Sequence, residues 1–297
     1  MPFNGFSFAL PEFNVTTPQC GYQYTVQSLT TGQVIRLRTS LTNHMQGLKL
    51  INEMIWDSIK QKPESINEYI DFKKQTTLLD RQALLFGIYI ATFGDVQTYA
   101  PKCNECDHVN NMKINLTNIF TTNMYADSKT IKKTYQAQKI AGNIKPGNAD
   151  HEIEKAIAED TVGNITQELL HVILPISGIH TYIKQPCIIN EEEVYKDILG
   201  VSGLEEMLND ILCIDRFEQI KKGDKVASLI IKDPIDILKG YESLTIKDKQ
   251  KINSVYDNKF GDYKISLKTE YPCNSCGVKN ELYIDILSEF FRSVAQA

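Results

Sequence analysis

Apolar positions along the chain change period several times, and each change predicts an element. Leu48, Ile51, Ile55 and Ile59 recur at helical spacing until Pro63, so a helix is predicted from a cap at Thr42 or Asn43, with Trp56 on its flank. A second short helix is predicted over 64–74. Ala83 to Phe93 is apolar nearly all round, the pattern of a buried helix. Asp80 is its expected N-cap, Arg81 a structural contact and Gly94 the residue just past its end. Alternation appears at Tyr22, Tyr24 and Val26, then around Val34, Ile35 and Leu37, and predicts a hairpin turning at Thr31-Gly32. Residues 1–20, rich in Phe, Pro, Asn and Thr, lack a helical period and predict an extended arm or edge segment. Such an arm packs on its own core or on a neighbouring subunit.

The polar stretch 121–160 predicts two helices, 127–141 and 150–160, around a break at 142–147. Its few apolar positions suit a connector, and Lys129, Lys132 and Lys133 suit a solvated face. Leu169 to Leu174 and Thr181 to Ile183 predict strands joined by the turn Pro175-Ile176-Ser177-Gly178. Glu191, Glu192 and Glu193 open a helix closed by Gly200, because acids suit the positive end of the helix dipole. Leu204, Met207, Leu208, Ile211 and Leu212 predict a further core helix running to Ile220. Segments 226–231 and 235–241 then lead to a helix near 246–260.

Two short pieces interrupt this alternation: Cys103-Asn104-Glu105-Cys106 and Cys273-Asn274-Ser275-Cys276. Each lies between strand-like stretches, the arrangement of half a zinc ribbon. Two residues between thiolates let both sulfurs of one turn reach the same ion, and two turns complete a tetrahedral four-sulfur site with no open position for substrate. Cys103, Cys106, Cys273 and Cys276 are therefore the expected ligands of one structural Zn2+. The 166 residues between Cys106 and Cys273 far exceed the local spacing of such ribbons, so a shared ion would staple distant parts of the chain. Three alternatives stand beside this: a redox pair, which needs a helix N-terminus; two separate sites completed by another subunit or by His108; and unliganded thiols.

The surroundings of the turns echo each other. Asp80-Arg81-Gln82, Phe93-Gly94-Asp95 and Cys103 have counterparts in Asp248-Lys249-Gln250, Phe260-Gly261-Asp262 and Cys273. The expected fold is α+β, with two pseudo-repeated helix and strand halves joined through the split ribbon. Its parts are an arm at 1–20, an N-terminal half at 21–120, a helical connector at 121–165 and a C-terminal half at 166–297.

A net charge of −5 argues against a nucleic-acid surface, which needs clustered Lys and Arg. The longest apolar run, Leu84 to Phe93, is about half of what a membrane helix needs, so no membrane insertion is expected. The start of the chain has no basic region followed by an apolar run, and no secretory signal is expected. Seven cysteines, four in metal spacing, suit a reducing compartment; Cys20, Cys187 and Cys213 are expected to be ordinary thiols. No phosphate loop, HExxH or nucleophile elbow is present, and the five histidines (His44, His108, His151, His171 and His180) are scattered, so an enzyme is not expected.

Residues 78–87 (Leu-Leu-Asp-Arg-Gln-Ala-Leu-Leu-Phe-Gly), the Phe93-Gly94-Asp95 turn leading to Cys103, and Cys273 to Cys276 followed by a strand and Glu289-Phe290-Phe291-Arg292 carry a resemblance. In these the chain is similar to the baseplate hub proteins of contractile-tailed, T-even-type bacteriophages. The resemblance implies a structural protein of the virion tail baseplate, assembled in the host cytoplasm. Its implied partners are other baseplate and hub proteins in a symmetric assembly, without nucleic acid. The alternatives are an assembly chaperone absent from the finished particle and a cytosolic zinc-ribbon enzyme.

Overall fold

The computed structural model describes residues 9–40, 44–124, 165–198, 207–220, 227 and 229–297. The predicted connector helices, Lys129, Lys132 and Lys133, the caps Thr42 and Asn43, Gly200 and residues 1–8 lie outside the described residues.

The chain opens with an antiparallel hairpin of β1 (Glu12–Thr16) and β2 (Gln23–Gln27), with Phe13 opposite Val26 and Val15 opposite Tyr24. Its turn closes when Thr17 N–H donates to the Tyr22 carbonyl at 2.9 Å and Gly21 N–H to the Thr17 carbonyl at 3.0 Å. Gly21 sits at φ 67°, where a Cβ is penalised. The hairpin expected around Thr31-Gly32 is replaced by helix α1 (Thr31–Ser40). Thr30 and Gln33 form a reciprocal capping box: Thr30 N–H donates to Gln33 Oε1 at 2.8 Å and Gln33 N–H to Thr30 Oγ1 at 3.3 Å. Val34 and Leu37 are buried at helical spacing while Ile35 is exposed, so the apparent alternation there is a helix face.

Helix α2 (His44–Asp57) buries Leu50, Ile51, Met54 and Ile55. It stops short of Ile59, contrary to the periodicity. Ser58 returns both its N–H and its hydroxyl to the Met54 carbonyl, and Ile59 enters β3 (Ile59–Gln61), which adds beside β2. Helix α3 (Tyr69–Gln75) begins later than expected, at a capping box of Glu68 and Asp71, and packs Phe72 and Tyr69 on Trp56. Helix α4 (Leu78–Phe93) is the buried centre of this half and ends at Gly94, φ 83°. Its N-cap is Thr77, whose Oγ1 accepts Asp80 N–H at 3.0 Å, so the expectation for Asp80 is corrected. The Asp80 carboxylate instead accepts the N–H groups of Gln19 at 2.7 Å and Cys20 at 3.1 Å, bracing the hairpin turn. Gly87 lets α4 lie against the hairpin: a Cβ there would stand 2.3 Å from Val15 Cγ2 and 2.9 Å from Val26 Cγ2.

The chain then forms β4 (Val96–Tyr99), the first cysteine turn, β5 (Met112–Asn115), the single-turn helix α5 (Leu116–Ile119) and β6 (Phe120–Thr122). A second hairpin follows, β7 (Leu169–Ile173) and β8 (His180–Lys184), as expected, and then helix α6 (Ile188–Ile198). The helix expected over 204–220 is corrected within its described part. A short helix α7 (Leu208–Ile211) gives way to β9 (Ile214–Gln219) and β10 (Leu229–Ile231). Ile214 and Phe217 are buried against β8, and sheet pairing there outweighs the helical spacing of the residues before it. The sheet order is β10-β9-β8-β7.

Helices α8 (Pro234–Glu242) and α9 (Ile246–Tyr256) cover this sheet, capped by Asp233 and Thr245. The turn of β7 and β8 repeats the first one. Leu174 N–H donates to the Ile179 carbonyl at 2.9 Å, Gly178 N–H donates to the Leu174 carbonyl at 3.0 Å, and Gly178 sits at φ 68°. Asp248, in the first turn of α9, accepts from Ile176 N–H at 2.9 Å and Ser177 N–H at 3.2 Å, as Asp80 does in the first half.

A wide turn at Asp257–Gly261 leads to β11 (Ile265–Pro272), the second cysteine turn, β12 (Lys279–Tyr283) and helix α10 (Ile286–Gln296). These last elements return to the first half, where Ile265, Leu267, Ile284, Ile286, Phe290 and Val294 join the core around α4. A second core, with Ile183, Ile214, Phe217, Leu238 and Ile252 among its members, fills the other half. The strand pairings described are antiparallel, and the fold is of mixed α+β type. The halves meet at α4 and α6, where buried Arg81 pairs with Glu191 and also donates to Asn52 Oδ1 at 3.2 Å. Leu78 N–H donates to the Pro186 carbonyl at 3.2 Å, and Ile188 N–H to the Thr76 carbonyl at 3.1 Å.

Candidate metal centre

The two cysteine turns are built alike. Cys103 N–H donates to the His108 carbonyl at 2.9 Å and Asp107 N–H to the Cys103 carbonyl at 3.1 Å. In the second turn Cys273 N–H donates to the Val278 carbonyl and Gly277 N–H to the Cys273 carbonyl, both at 2.9 Å. The residue that turns the chain back has positive φ in each, 54° at Asp107 and 74° at Gly277. An Asp tolerates that conformation better than most side chains.

Both turns project their sulfurs to one place. The four sulfurs lie within 4.8 Å of one another, with Cys103 Sγ 3.7 Å from Cys276 Sγ and Cys106 Sγ 3.6 Å from Cys273 Sγ. Sulfurs at 2.3 Å from a tetrahedral zinc ion stand ~3.8 Å apart, so this donor set has the size and chemistry of a Zn(Cys)4 site. The same spacing exceeds the ~2.05 Å of a disulfide, and all seven cysteines are free. Among the described residues no histidine or carboxylate joins the group, and His108 takes part through its backbone carbonyl. Both turns feed strands rather than helices, an environment unlike that of a redox pair.

The site has an inner and an outer side. Cys103 and Cys273 are buried, whereas Cys106 and Cys276 are exposed. The inner sulfurs accept backbone N–H groups, from Glu105 at 3.5 Å and Ser275 at 3.4 Å. Backbone donors, first Glu105 for Cys103 and first Cys276 for Cys273, lower these two inner thiols below their ordinary value, while the outer thiols of Cys106 and Cys276, beside those inner sulfurs, are raised. A thiolate is the form that binds metal. The remaining cysteines lie elsewhere, and burial pushes Cys187 and Cys213 up to about 12, which suits ordinary core thiols.

Asn110 and Asn280 were not legible as site residues, yet both are buried between the turns. Asn110 Oδ1 accepts Asn274 N–H at 2.8 Å and Asn280 Oδ1 accepts Asn104 N–H at 3.0 Å, so each side chain grips the opposite turn. The signal was present: both turns read Cys-x-x-Cys-x-x-x-Asn. No helix among the described residues is long and apolar enough to cross a membrane.

No curated protein and no solved structure matches the chain. A family match does exist, over residues 21–292, and it runs from β2 to α10, taking in α4, α9, the second hairpin and both cysteine turns. The chain belongs to the T4 bacteriophage base plate protein family.

Proposed function

We propose that this chain is a structural component of the hub region of a contractile-tail baseplate, and that Cys103, Cys106, Cys273 and Cys276 hold one structural zinc ion. The observation that carries the reading is the family match across most of the chain; the clustered sulfurs offer the four ligands the metal would need. The protein acts through contacts with neighbouring tail proteins rather than by catalysis, is assembled in the host cytoplasm and resides in the virion tail.

The chain is read as a duplication. A hairpin with a glycine turn, a Thr-capped helix whose buried Asp braces that turn, a strand, a cysteine turn and a second strand occur twice in the same order. On this reading 21–120, completed by β1 and its turn from within the 1–20 segment, and 166–297 are the two copies, and 121–165 connects them. The zinc ion closes the molecule at the point where the copies meet.

The outer faces of the two hairpin sheets support a role in protein contacts. In the first, Asn14, Thr25 and Gln61 form a polar row linked through the Thr25 hydroxyl. In the second, Leu169 (47% exposed), Ile173 (53%) and Ile230 (52%) surround a row of His171, Tyr182 and Arg216. On this reading the second face, with its exposed apolar side chains, is the one that meets other proteins.

Quantitative mass spectrometry of purified virions, with zinc content measured on the isolated protein, tests this. A fixed copy number per tail and one zinc per chain are expected. Absence from finished particles would make the protein an assembly chaperone, and absence of zinc would remove the metal from the reading.

A further inference from the structure

Asn110 and Asn280 occupy equivalent places, four residues after the second cysteine of each pair, and both are almost fully buried (1% and 3% exposed). Both the oxygen and the nitrogen of each side chain are used at the junction. Each oxygen accepts the N–H of the residue after the opposite turn's first cysteine, at 2.8 Å for Asn110 and 3.0 Å for Asn280. Each nitrogen donates to its own turn, Asn110 to the His108 carbonyl at 3.1 Å and Asn280 to the Val278 carbonyl at 2.9 Å. The same nitrogens lie 3.8 Å and 3.6 Å from the inner sulfurs of the opposite turn, Cys273 and Cys103. Tyr271 adds one further bridge, its hydroxyl donating to the Lys102 carbonyl at 3.2 Å.

We infer that Asn110 and Asn280 are paired positioning residues that clasp the two cysteine turns together before metal arrives and then hold the inner sulfurs in place around it. This deepens the zinc reading and rests on it for the second half only. The backbone bonds of the clasp link one turn to the other without passing through the sulfurs, so they persist in the metal-free chain. A clasped pair of turns presents all four sulfurs at once, and the ion does not have to gather two distant segments. Because Cys103 and Cys273 are inner and held from two sides, exchange of the ion proceeds through the exposed Cys106 and Cys276. The amide N–H groups beside the inner sulfurs also offset part of the charge of four thiolates on one divalent cation, the kind of outer-shell support that tunes metal affinity.

Two substitutions separate these roles. Asn→Ala at both positions removes the clasp and the sulfur donors. Asn→Asp keeps an oxygen for the opposite backbone N–H but replaces the donor beside the sulfur with a second acceptor. Hydrogen exchange on the full chain, stripped of metal, reads the clasp directly. The Asn104 and Asn274 amides are protected in the native sequence, exposed in the Asn110→Ala/Asn280→Ala variant and protected again in the single Asn110→Asp or Asn280→Asp variants at the amide that residue holds. With zinc loaded, release to a competing chelator reads the second role: the Ala pair binds roughly 10–100-fold more weakly, and each Asp variant also releases faster than the native sequence.

Equal amide exchange in the native and Ala-pair proteins would overturn the clasp, and equal metal release would overturn the sulfur-positioning role. If the native chain takes up no zinc while both amides stay protected, the zinc reading fails and the clasp stands as a metal-free junction. Co2+ substituted for zinc gives a spectroscopic check, since thiolate charge-transfer bands report whether all four sulfurs still reach the ion.

Discussion

Replacing Asp80 by Ala removes the group that braces the first hairpin turn against the central helix. The carboxylate accepts Gln19 N–H at 2.7 Å and Cys20 N–H at 3.1 Å, and Gln19 is only 1% exposed. A buried N–H left without a partner costs about 1–3 kcal/mol, and the half-exposed one at Cys20 about 1 kcal/mol, so the loss is about 2–4 kcal/mol. Asp248→Ala is the internal control. It frees Ile176 and Ser177 N–H groups in a turn where Ile176 is 57% exposed, so water replaces the carboxylate and the cost is about 1 kcal/mol.

Ionisation gives a second handle on the same residue. Burial pushes the Asp80 carboxyl up to about 6, above its ordinary 3.8, despite the hydrogen bonds from Cys20 and Gln19 that favour the charged form. The folded state therefore holds this proton more tightly than the unfolded chain does. Its contribution to stability is greatest below about pH 4 and is lost, on the order of 3 kcal/mol in all, as pH rises through 6. Urea denaturation of the native chain, Asp80→Ala, Asp80→Asn and Asp248→Ala, followed between pH 4 and 7, measures both effects. The difference in stability between native and Asp80→Asn should shrink across that range, since the Asn does not titrate. Equal losses for the two Ala variants, or a difference that grows with pH, would refute the reasoning.

Four other outcomes are expected. If one zinc ion joins the two turns as proposed, Cys273→Ser should lower zinc content and make both the first half and the C-terminal strands more sensitive to protease; limited proteolysis with metal analysis checks this. Gly87→Ala should cost about 1–3 kcal/mol in urea midpoint measurements, since its methyl would meet Val15 and Val26 in a packed contact. Glu191→Ala, which leaves the buried Arg81 guanidinium without its carboxylate, should cost about 3–5 kcal/mol, and the apolar pair Arg81→Met/Glu191→Leu should recover most of that in a double-mutant cycle. Ile173→Asp, on the exposed sheet face, should leave the urea midpoint within about 0.5 kcal/mol of native while lowering incorporation into baseplates, read by mass spectrometry of particles.

Where local chemistry decides the conformation, the amino-acid order holds the information. Gly94 was read correctly as ending a helix because it needs no Cβ at positive φ, whereas Thr77 and Thr245, which start helices because a hydroxyl three residues before a backbone N–H caps it, were passed over, the first in favour of Asp80. The two Cys-x-x-Cys turns, with strand-like residues on both sides, marked four sulfurs as metal-type donors; that they lie together is decided by the fold. Even the misread segment at Thr31-Gly32 carried its answer in the Thr30-to-Gln33 capping box, which alternation of Val34 and Leu37 obscured.

Tertiary packing decided the rest. The run from Leu208 to Gln219 has helical spacing at its start, but β8 offers a free edge beside it and the sheet claims Ile214 and Phe217. Asp80 looked like a cap because only its neighbours in sequence were visible; its partners, Gln19 and Cys20, come from a turn some sixty residues earlier. Asn110 and Asn280 have no meaning until two distant turns face each other, since an isolated asparagine in a loop is satisfied by water. Periodicity and caps are properties of neighbours along the chain, whereas a clasp, a brace or a four-sulfur cluster exists only once the fold has brought separate segments within hydrogen-bonding distance.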